Sequence, residues 1–503
     1  MKGATDTVTY RALPNIVIGA LLLLLMCVAS GRPQVFADTK SYYALGREAA
    51  SLVHKPDAAQ DSAEILRGRS LPPADAASET RLAYTVSASR SPYWSVLFYL
   101  AVQIGSAWLV VAMQAAVAAG VLWIAASAFG VRSSYLAIVA GLAALSSLPV
   151  QVMFLMPDLF AGLAVVSALV LTTARDRLPR WHAAALWAVL AASALFHTSH
   201  ILIIAILGGG TLALSAFPRH RALIRPGAAV LMAAAVGAAG AIAFPLAVHA
   251  LRGQPIYAPP FLSARLIADG PGRAVLKHDC KTGNEWGWCA YIDRPLVDVN
   301  TILWNEDPAT ASFQAANYDR RVRIIGEQTR FVLRVVQAYP VAVATTVLGN
   351  IGHLFLQYGS AEALGDPTAR YRDPSFAVFS HIVPDTQACQ DGRASCASRL
   401  NVPVLNGVIG IALLVSCLGI AALLGTAAGR QSWGAAVIFV VAALLVNAVV
   451  CGGISGNAER YQSRVTWLIP MIALVMAADW IARRRSGRHS LRPDTTSARP
   501  ATR

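Results

Sequence analysis

The sequence predicts an all-α polytopic membrane protein with about ten transmembrane helices and two large loops on one face. Three observations lead there. Of 503 residues, 56% are hydrophobic and 14% charged, where a soluble domain carries about a quarter charged residues. Mean hydropathy is +0.52. Apolar runs of about 18 residues or more, enough to span a bilayer, recur along the chain. No soluble domain of ordinary size fits between them, and no internal repeat stands out. The formal charge of +15 comes largely from Arg in short turns between apolar runs. Cations there set topology, so no nucleic-acid partner is implied.

The first span is "PNIVIGALLLLLMCVAS", residues 14–30. Its basic start and the small residues of "CVASGRPQVFA" also fit a cleavable signal peptide. The run is long enough to cross, however, and the parity of the later spans needs it. A first outer loop covers 31–103, of which 92–103 is a surface segment. Spans follow at 104–129, 135–153, 157–174, 182–198, 200–217 and 226–249, then at 402–425, 433–453 and 465–482. The connections "GVRSS", "ARDRLPRWH" and "PRHRALIRP" and the tail "ARRRSGRHS" are basic. Placing them in the cytoplasm puts 31–103, 250–401 and the turns 153–157, 198–200 and 454–464 on the opposite face. The chain thus divides into an N-terminal transmembrane module (1–249), an outer-face loop region with surface helices (250–401), C-terminal transmembrane helices (402–482) and a disordered basic cytoplasmic tail (483–503).

Cysteine usage refines the topology. Cys27, Cys417 and Cys451 lie in spans, where small buried thiols are ordinary. Cys280 with Cys289, and Cys389 with Cys396, form two local pairs in polar loops, the pattern of disulfides in an oxidising compartment. Thiolate metal ligation, with His278 nearby, needs closer spacing. The pairs flank "YPVAVATTVLGNIGHLFLQYG", residues 339–359. Two disulfides on one face require an even number of crossings between them, and zero is the simplest. Residues 339–359 then form a helix lying on or dipping into the outer face.

Polar residues gather at the outer ends of the spans, while ionisable residues inside them are scarce. This argues against coupled ion transport and for chemistry at one interface. "FADTKSYYALG" places Asp38, Tyr42 and Tyr43 directly after the first span. "MPDLFAGL" places Asp158 at the start of another, where an acid also suits a helix N-terminus. "LFHTSHILI" puts His197 and His200 at an outer hairpin. "ASRSPYWSVL" offers Arg90, Tyr93 and Trp94, an anchoring cation in an aromatic belt or part of a groove. "GNAERYQSRVTWLIP" sets Glu459, Arg460, Tyr461 and Arg464 before the last span. Two outer-face Arg oppose the positive-inside tendency; they either snorkel or bind phosphate through a bidentate fork.

Taken in order, "FADTKSYY" after the first span, "RSPYWSVL" at membrane re-entry, "PDLFAG" and "ERYQSRVTWLIP" resemble the GT-C superfamily of integral-membrane glycosyltransferases, which includes protein O-mannosyltransferases and lipid A aminoarabinose transferases. The resemblance covers the span layout and these short motifs. It implies a GT-C-like fold in a bacterial inner membrane, with the active site on the periplasmic face. It implies a polyprenyl-phosphate sugar as donor and a cell-envelope glycan, lipid or protein as acceptor. It makes Asp38 the general base, Asp158 a second outer-face acid that positions the acceptor or shares a divalent cation with Asp38, and Arg460 and Arg464 the cations near the donor phosphate. His197 and His200 become hydrogen-bonding groups for phosphate or sugar, and Tyr42 and Tyr43 flank the site. Arg90 joins the donor or acceptor groove. Asp38 lacks the adjacent second acid of some members, and "NEWGWCAYIDRP" in region 250–401 matches no family motif. The competing classes are a polysaccharide polymerase or ligase using lipid-linked oligosaccharide, a transporter or flippase, and a non-catalytic scaffold.

Overall fold

The computed structural model describes residues 3–51, 90–252, 258–283, 285–305, 307, 309–364, 377–393 and 398–489. Among the described residues there is no β-strand, and the β contact recorded is an isolated parallel bridge between Gln34 and Phe154. The first half runs through α1 (Gly3–Ser30), α2 (Ala37–Ser51), α3 (Pro92–Ile104), α4 (Ala107–Ala128), α5 (Tyr135–Leu145), α6 (Leu148–Met153), α7 (Leu159–Thr173), α8 (Arg180–Phe196), α9 (Thr198–Leu214) and α10 (Ile224–Arg252). The outer region contributes α11 (Phe261–Ala268), α12 (Pro271–Asp279), α13 (Val299–Trp304), α14 (Tyr318–Ala338) and α15 (Pro340–Leu356). The chain closes with α16 (Val402–Leu424), α17 (Ala427–Val450), α18 (Glu459–Thr466) and α19 (Leu468–His489).

Among the described residues six stretches are long and apolar enough to cross a bilayer: Ala12–Ser30, Ala107–Ala128, Pro218–Ala250, Val402–Leu424, Ala427–Ser455 and Glu459–Arg485. Ile411, Leu414 and Leu418 of α16 are more than 60% exposed, an apolar surface suited to lipid rather than to water. The chain is an all-α, multi-pass membrane protein. The remaining expected spans differ in length. α5, α7, α8 and α9 have 11 to 17 residues, about 17–26 Å at 1.5 Å per residue, against a hydrocarbon core of about 30 Å. The stretch 135–153, read as one span, is broken at Ser146 and Ser147 into α5 and α6. There the Ser146 hydroxyl bonds back to Leu142 O (2.6 Å) and accepts from Leu148 N (3.2 Å), competing with helix continuation.

The region 250–401 is more than a loop with surface helices. It has its own apolar core, in which Trp288, Ile302, Ile324, Phe331 and Val335 are buried. Asp279 anchors that core. Its carboxylate accepts from Arg334 Nη2 (3.0 Å) and Nε (3.2 Å) and from Trp286 Nε1 (3.1 Å). The Arg334 hydrogen bonds hold its carboxyl down to about 2 against the upward push of burial. Cys280 and Cys289 form the expected disulfide, which removes the thiolate-metal alternative there. Cys389 is also disulfide-bonded; its expected partner Cys396 lies outside the described residues.

The run 339–359 contains α15, which meets α14 at a bend of 104°. Pro340 takes the first helical position, where its missing N–H costs nothing. The tail departs from the expectation of disorder. α19 continues to His489, because Arg483, Arg484 and Arg485 suit a helix C-terminus; residues 490–503 lie outside the described part. In the first outer loop α2 and α3 are helical, and 52–89 lie outside the described residues. α3 is not merely a surface segment, since Trp94, Ser95 and Phe98 are buried.

Cysteines introduced singly at Asn300 and Ala361, in a Cys417→Ser background, are expected to react with a membrane-impermeant maleimide from the same side. Labelling from opposite sides would mean that α14 and α15 cross the bilayer once.

Candidate functional site

Backbone geometry places Asp38. Where the chain leaves α1, Gln34 N donates to Met153 O (2.9 Å) and Leu155 N donates to Gln34 O (3.0 Å). Gln114 Nε2 steadies the same segment through Val152 O (3.0 Å) and Phe154 O (2.8 Å). The start of α2 is thereby stitched to the turn before α7, and Asp38 and Asp158 become neighbours. Thr39 Oγ1 accepts from Phe36 N (3.0 Å), capping α2. Asp38 falls in the first turn, where the helix dipole favours a carboxylate. Gly46 lets α2 close on α3: a Cβ there would sit 2.1 Å from Ser95 O. That contact brings Arg90, at the start of α3, to Asp38.

The opposite cations come from α18. α17 ends in a five-residue π-helical turn, Cys451–Ser455, a feature frequent at functional sites. α18 is held by Ser147 Oγ donating to Ser463 O (2.6 Å), Gln151 Nε2 donating to Ser463 Oγ (3.1 Å) and Asn447 Nδ2 donating to Tyr461 O (2.8 Å). Arg460 and Arg464 are four apart and share a helical face.

The resulting cluster has two layers. In the upper layer, Asp38 Oδ1 pairs with Arg90 Nη2 (2.5 Å) and Oδ2 with Arg460 Nη2 (2.8 Å). Burial alone would push the Asp38 carboxyl up; Arg90 and Arg460 overcome it and hold the group well below the usual carboxylate range. Arg460 also lies over the rings of Phe36 (4.3 Å) and Tyr461 (4.7 Å) and 3.9 Å from Asp158 Oδ2. In the lower layer, Arg464 has no exposed surface. It donates to Asp158 Oδ1 (3.3 Å), Asn447 Oδ1 (3.0 Å) and Ser199 Oγ (3.1 Å).

A cavity of about 1210 Å³ opens on the upper layer. Phe36, Asp38, Lys40, Arg90, Arg460 and Tyr461 line one side. The outer region supplies the other, with Phe261, Arg265, Asp269, Trp304, Asn350 and Glu362. Asn350 Nδ2 donates to Asp269 Oδ2 (3.0 Å), and Asn457 Nδ2 donates to Asn350 Oδ1 (2.7 Å). These bonds join the outer region to the segment leading into α18. Burial pushes the Glu362 carboxyl up.

The candidates therefore separate. Asp38, Arg90 and Arg460 face the cavity together. Asp158 and Arg464 do not line it; they form its foundation, because packing of α7 and α17 closes over them. His197 and His200 stand behind Arg464. His197 Nδ1 accepts from Ser199 N (3.2 Å), and the fully buried His200 donates from Nδ1 to Ser193 O (3.0 Å). Neither is among the residues lining the cavity. Tyr42 and Tyr43 do not line it either, although the Arg90 guanidinium lies over the Tyr42 ring (5.7 Å). Both are buried, Tyr43 among Phe98, Tyr99 and His381 with its hydroxyl accepting from Gln103 Nε2 (2.9 Å); Tyr461 and Trp304 take the aromatic positions instead. Asp38 and Arg460 are in direct contact rather than on facing walls. Among the described residues no group of three or more His, Cys, Asp and Glu could hold a metal ion. Asp38 and Asp158 both turn their oxygens to guanidiniums, a donor set unsuited to a shared divalent cation.

Arg265, Asp269, Asn350, Asn457 and Trp304 escape sequence reasoning because they come from short helices and loops without a motif. The i,i+4 spacing of Arg265 and Asp269 was the one available signal. No protein-family model, no curated protein and no solved structure matches the chain.

Asp158→Ala strands the Arg464 charge in complete burial and is expected to cost about 3–5 kcal/mol, read as a lower unfolding midpoint in detergent. An unchanged midpoint would show that the pair is not the foundation described.

Proposed function

We propose that the chain is a GT-C-type membrane glycosyltransferase, moving a sugar from a polyprenyl-phosphate donor to an acceptor hydroxyl of a cell-envelope glycan, lipid or protein. One observation carries this reading. A carboxylate and two guanidiniums, from three separate elements, meet at the mouth of one large cavity at the ends of the apolar helices. The cavity is roomy enough for a phosphorylated sugar and a second hydroxylated molecule. In this reading α5 with α6, α7, α8 and α9 complete ten crossings, both termini lie in the cytoplasm of a bacterial cell, and the cavity opens to the periplasm. The basic connections on the opposite side support that orientation.

The chemistry requires few groups. The acceptor oxygen attacks the anomeric carbon, the bond from that carbon to the phosphate oxygen breaks, and its electron pair leaves with the polyprenyl phosphate. The acceptor proton passes to the Asp38 carboxylate. Arg460, with Arg90 and Lys40 beside it, meets the charge that develops on the leaving phosphate. Asp158 and Arg464 hold Arg460 in position without touching substrate. Trp304 and Tyr461 offer flat apolar faces with polar tips to a sugar ring.

The test is transfer of radiolabelled sugar from undecaprenyl-phosphate sugars to endogenous acceptors in membranes. Asp38→Asn should lower kcat by about 10²–10⁴ and Arg460→Gln by about 10²–10³, with both proteins still in the membrane. Near-normal transfer by Asp38→Asn would remove the base from the mechanism. Loss confined to the Arg variant would favour the polymerase or ligase class.

A further inference from the structure

We propose that Asp38 is a built-in stand-in for the donor phosphate: an anionic ligand reaches Arg460 and Arg90 by displacing this carboxylate, which then becomes the free base. The inference rests on the reading of the cavity as a polyprenyl-phosphate site and adds an order of events to it.

The geometry supplies the argument. Both Asp38 oxygens are engaged, one by each guanidinium. Carboxylate and phosphate present the same kind of oxygen pair to an Arg fork, so the two anions compete for the same N–H groups. A carboxylate clamped between two cations is a poor proton acceptor, and an acceptor hydroxyl cannot approach the oxygens along the directions the guanidiniums occupy.

The charges allow the exchange. Arg90, Arg460, Arg464 and Lys40 share the site with Asp38, Asp158 and Glu362, four cations against three anions. One phosphodiester brings the cluster to neutrality. Arg460 is less fully committed: it lies over Tyr461 and Phe36, and its Nε is buried with no hydrogen-bond partner among the described residues. Arg464 has no such freedom, since its donors are spent on Asp158, Asn447 and Ser199. The upper layer can therefore rearrange while the lower one stays in place. The consequence is obligatory order, with the donor binding first and the acceptor being deprotonated only afterwards.

The experiment uses the full chain in lipid nanodiscs and undecaprenyl phosphate, without any sugar, as the probe. Removing the competing carboxylate should tighten binding: Asp38→Asn is expected to lower Kd at least ten-fold. Asp38→Ala and Asp38→Ser should do the same, so whichever variant purifies as folded protein answers the question. Arg460→Gln should raise Kd at least ten-fold. Unchanged or weaker binding by the Asp38 variants, with wild-type binding intact, would overturn the stand-in and leave the glycosyltransferase reading untouched. No binding by the wild type or any Asp38 variant would overturn both.

Discussion

A guanidinium sealed away from solvent is the constraint on which the rest of this structure depends. Arg464, on α18, sits where α7, α9 and α17 meet that helix, and Asp158 at the start of α7, Ser199 of α9 and Asn447 of α17 each supply it a partner. An unmet charge at that depth would cost more than the surrounding apolar contacts return. The four helices are therefore obliged to converge with their polar atoms in register. That convergence sets the height and rotation of α18, and one helical turn above Arg464 it delivers Arg460 to Asp38.

The two layers divide the labour between rigidity and chemistry. Below, hydrogen bonds are short-range, mutually satisfied and buried. Above, the ion pairs border the cavity, which the outer region closes through Asp269, Asn350 and Asn457. This arrangement accounts for two Arg at the start of the last long apolar stretch. One is a structural tie and the other faces the cavity.

Much of the cluster was legible in the sequence, for a simple reason. A charge at the end of an apolar run is conspicuous, and Asp38, Asp158, Arg460 and Arg464 all stand in such places. What the residues could not reveal is which of them reach open space. Arg460 and Arg464 share a helical face and differ only in depth, and depth is decided by Ser147, Asn447 and Ser199 from three other elements. Six of the expected spans are long helices among the described residues, but the apolar runs do not reveal where a helix stops: Ser146 and Ser147 divide one run, and α7 ends after 15 residues. The outer region was least legible. Its core is assembled from helices such as α11, α12 and α13, of six to nine residues, too short to display a periodicity.

The parallel bridge between Gln34 and Phe154 has a bearing on how this site would drift over evolutionary time. Its hydrogen bonds run between backbone groups, so a change of side chain at 34 or 154 leaves the bridge itself intact, although Gln34 Nε2 also donates to Arg32 O (3.0 Å) and Phe154 is buried in the core. Proline at position 34 or 155 is the exception, since each N–H is a donor in the bridge. Length is another matter. One residue added between Ser30 and Asp38, or between Phe154 and Asp158, would shift a carboxylate by up to about 3.5 Å, more than the ion pairs above tolerate. Descendants of this chain would thus be expected to keep these two intervals strictly, with substitutions at 34 and 154 limited by burial rather than by the bridge.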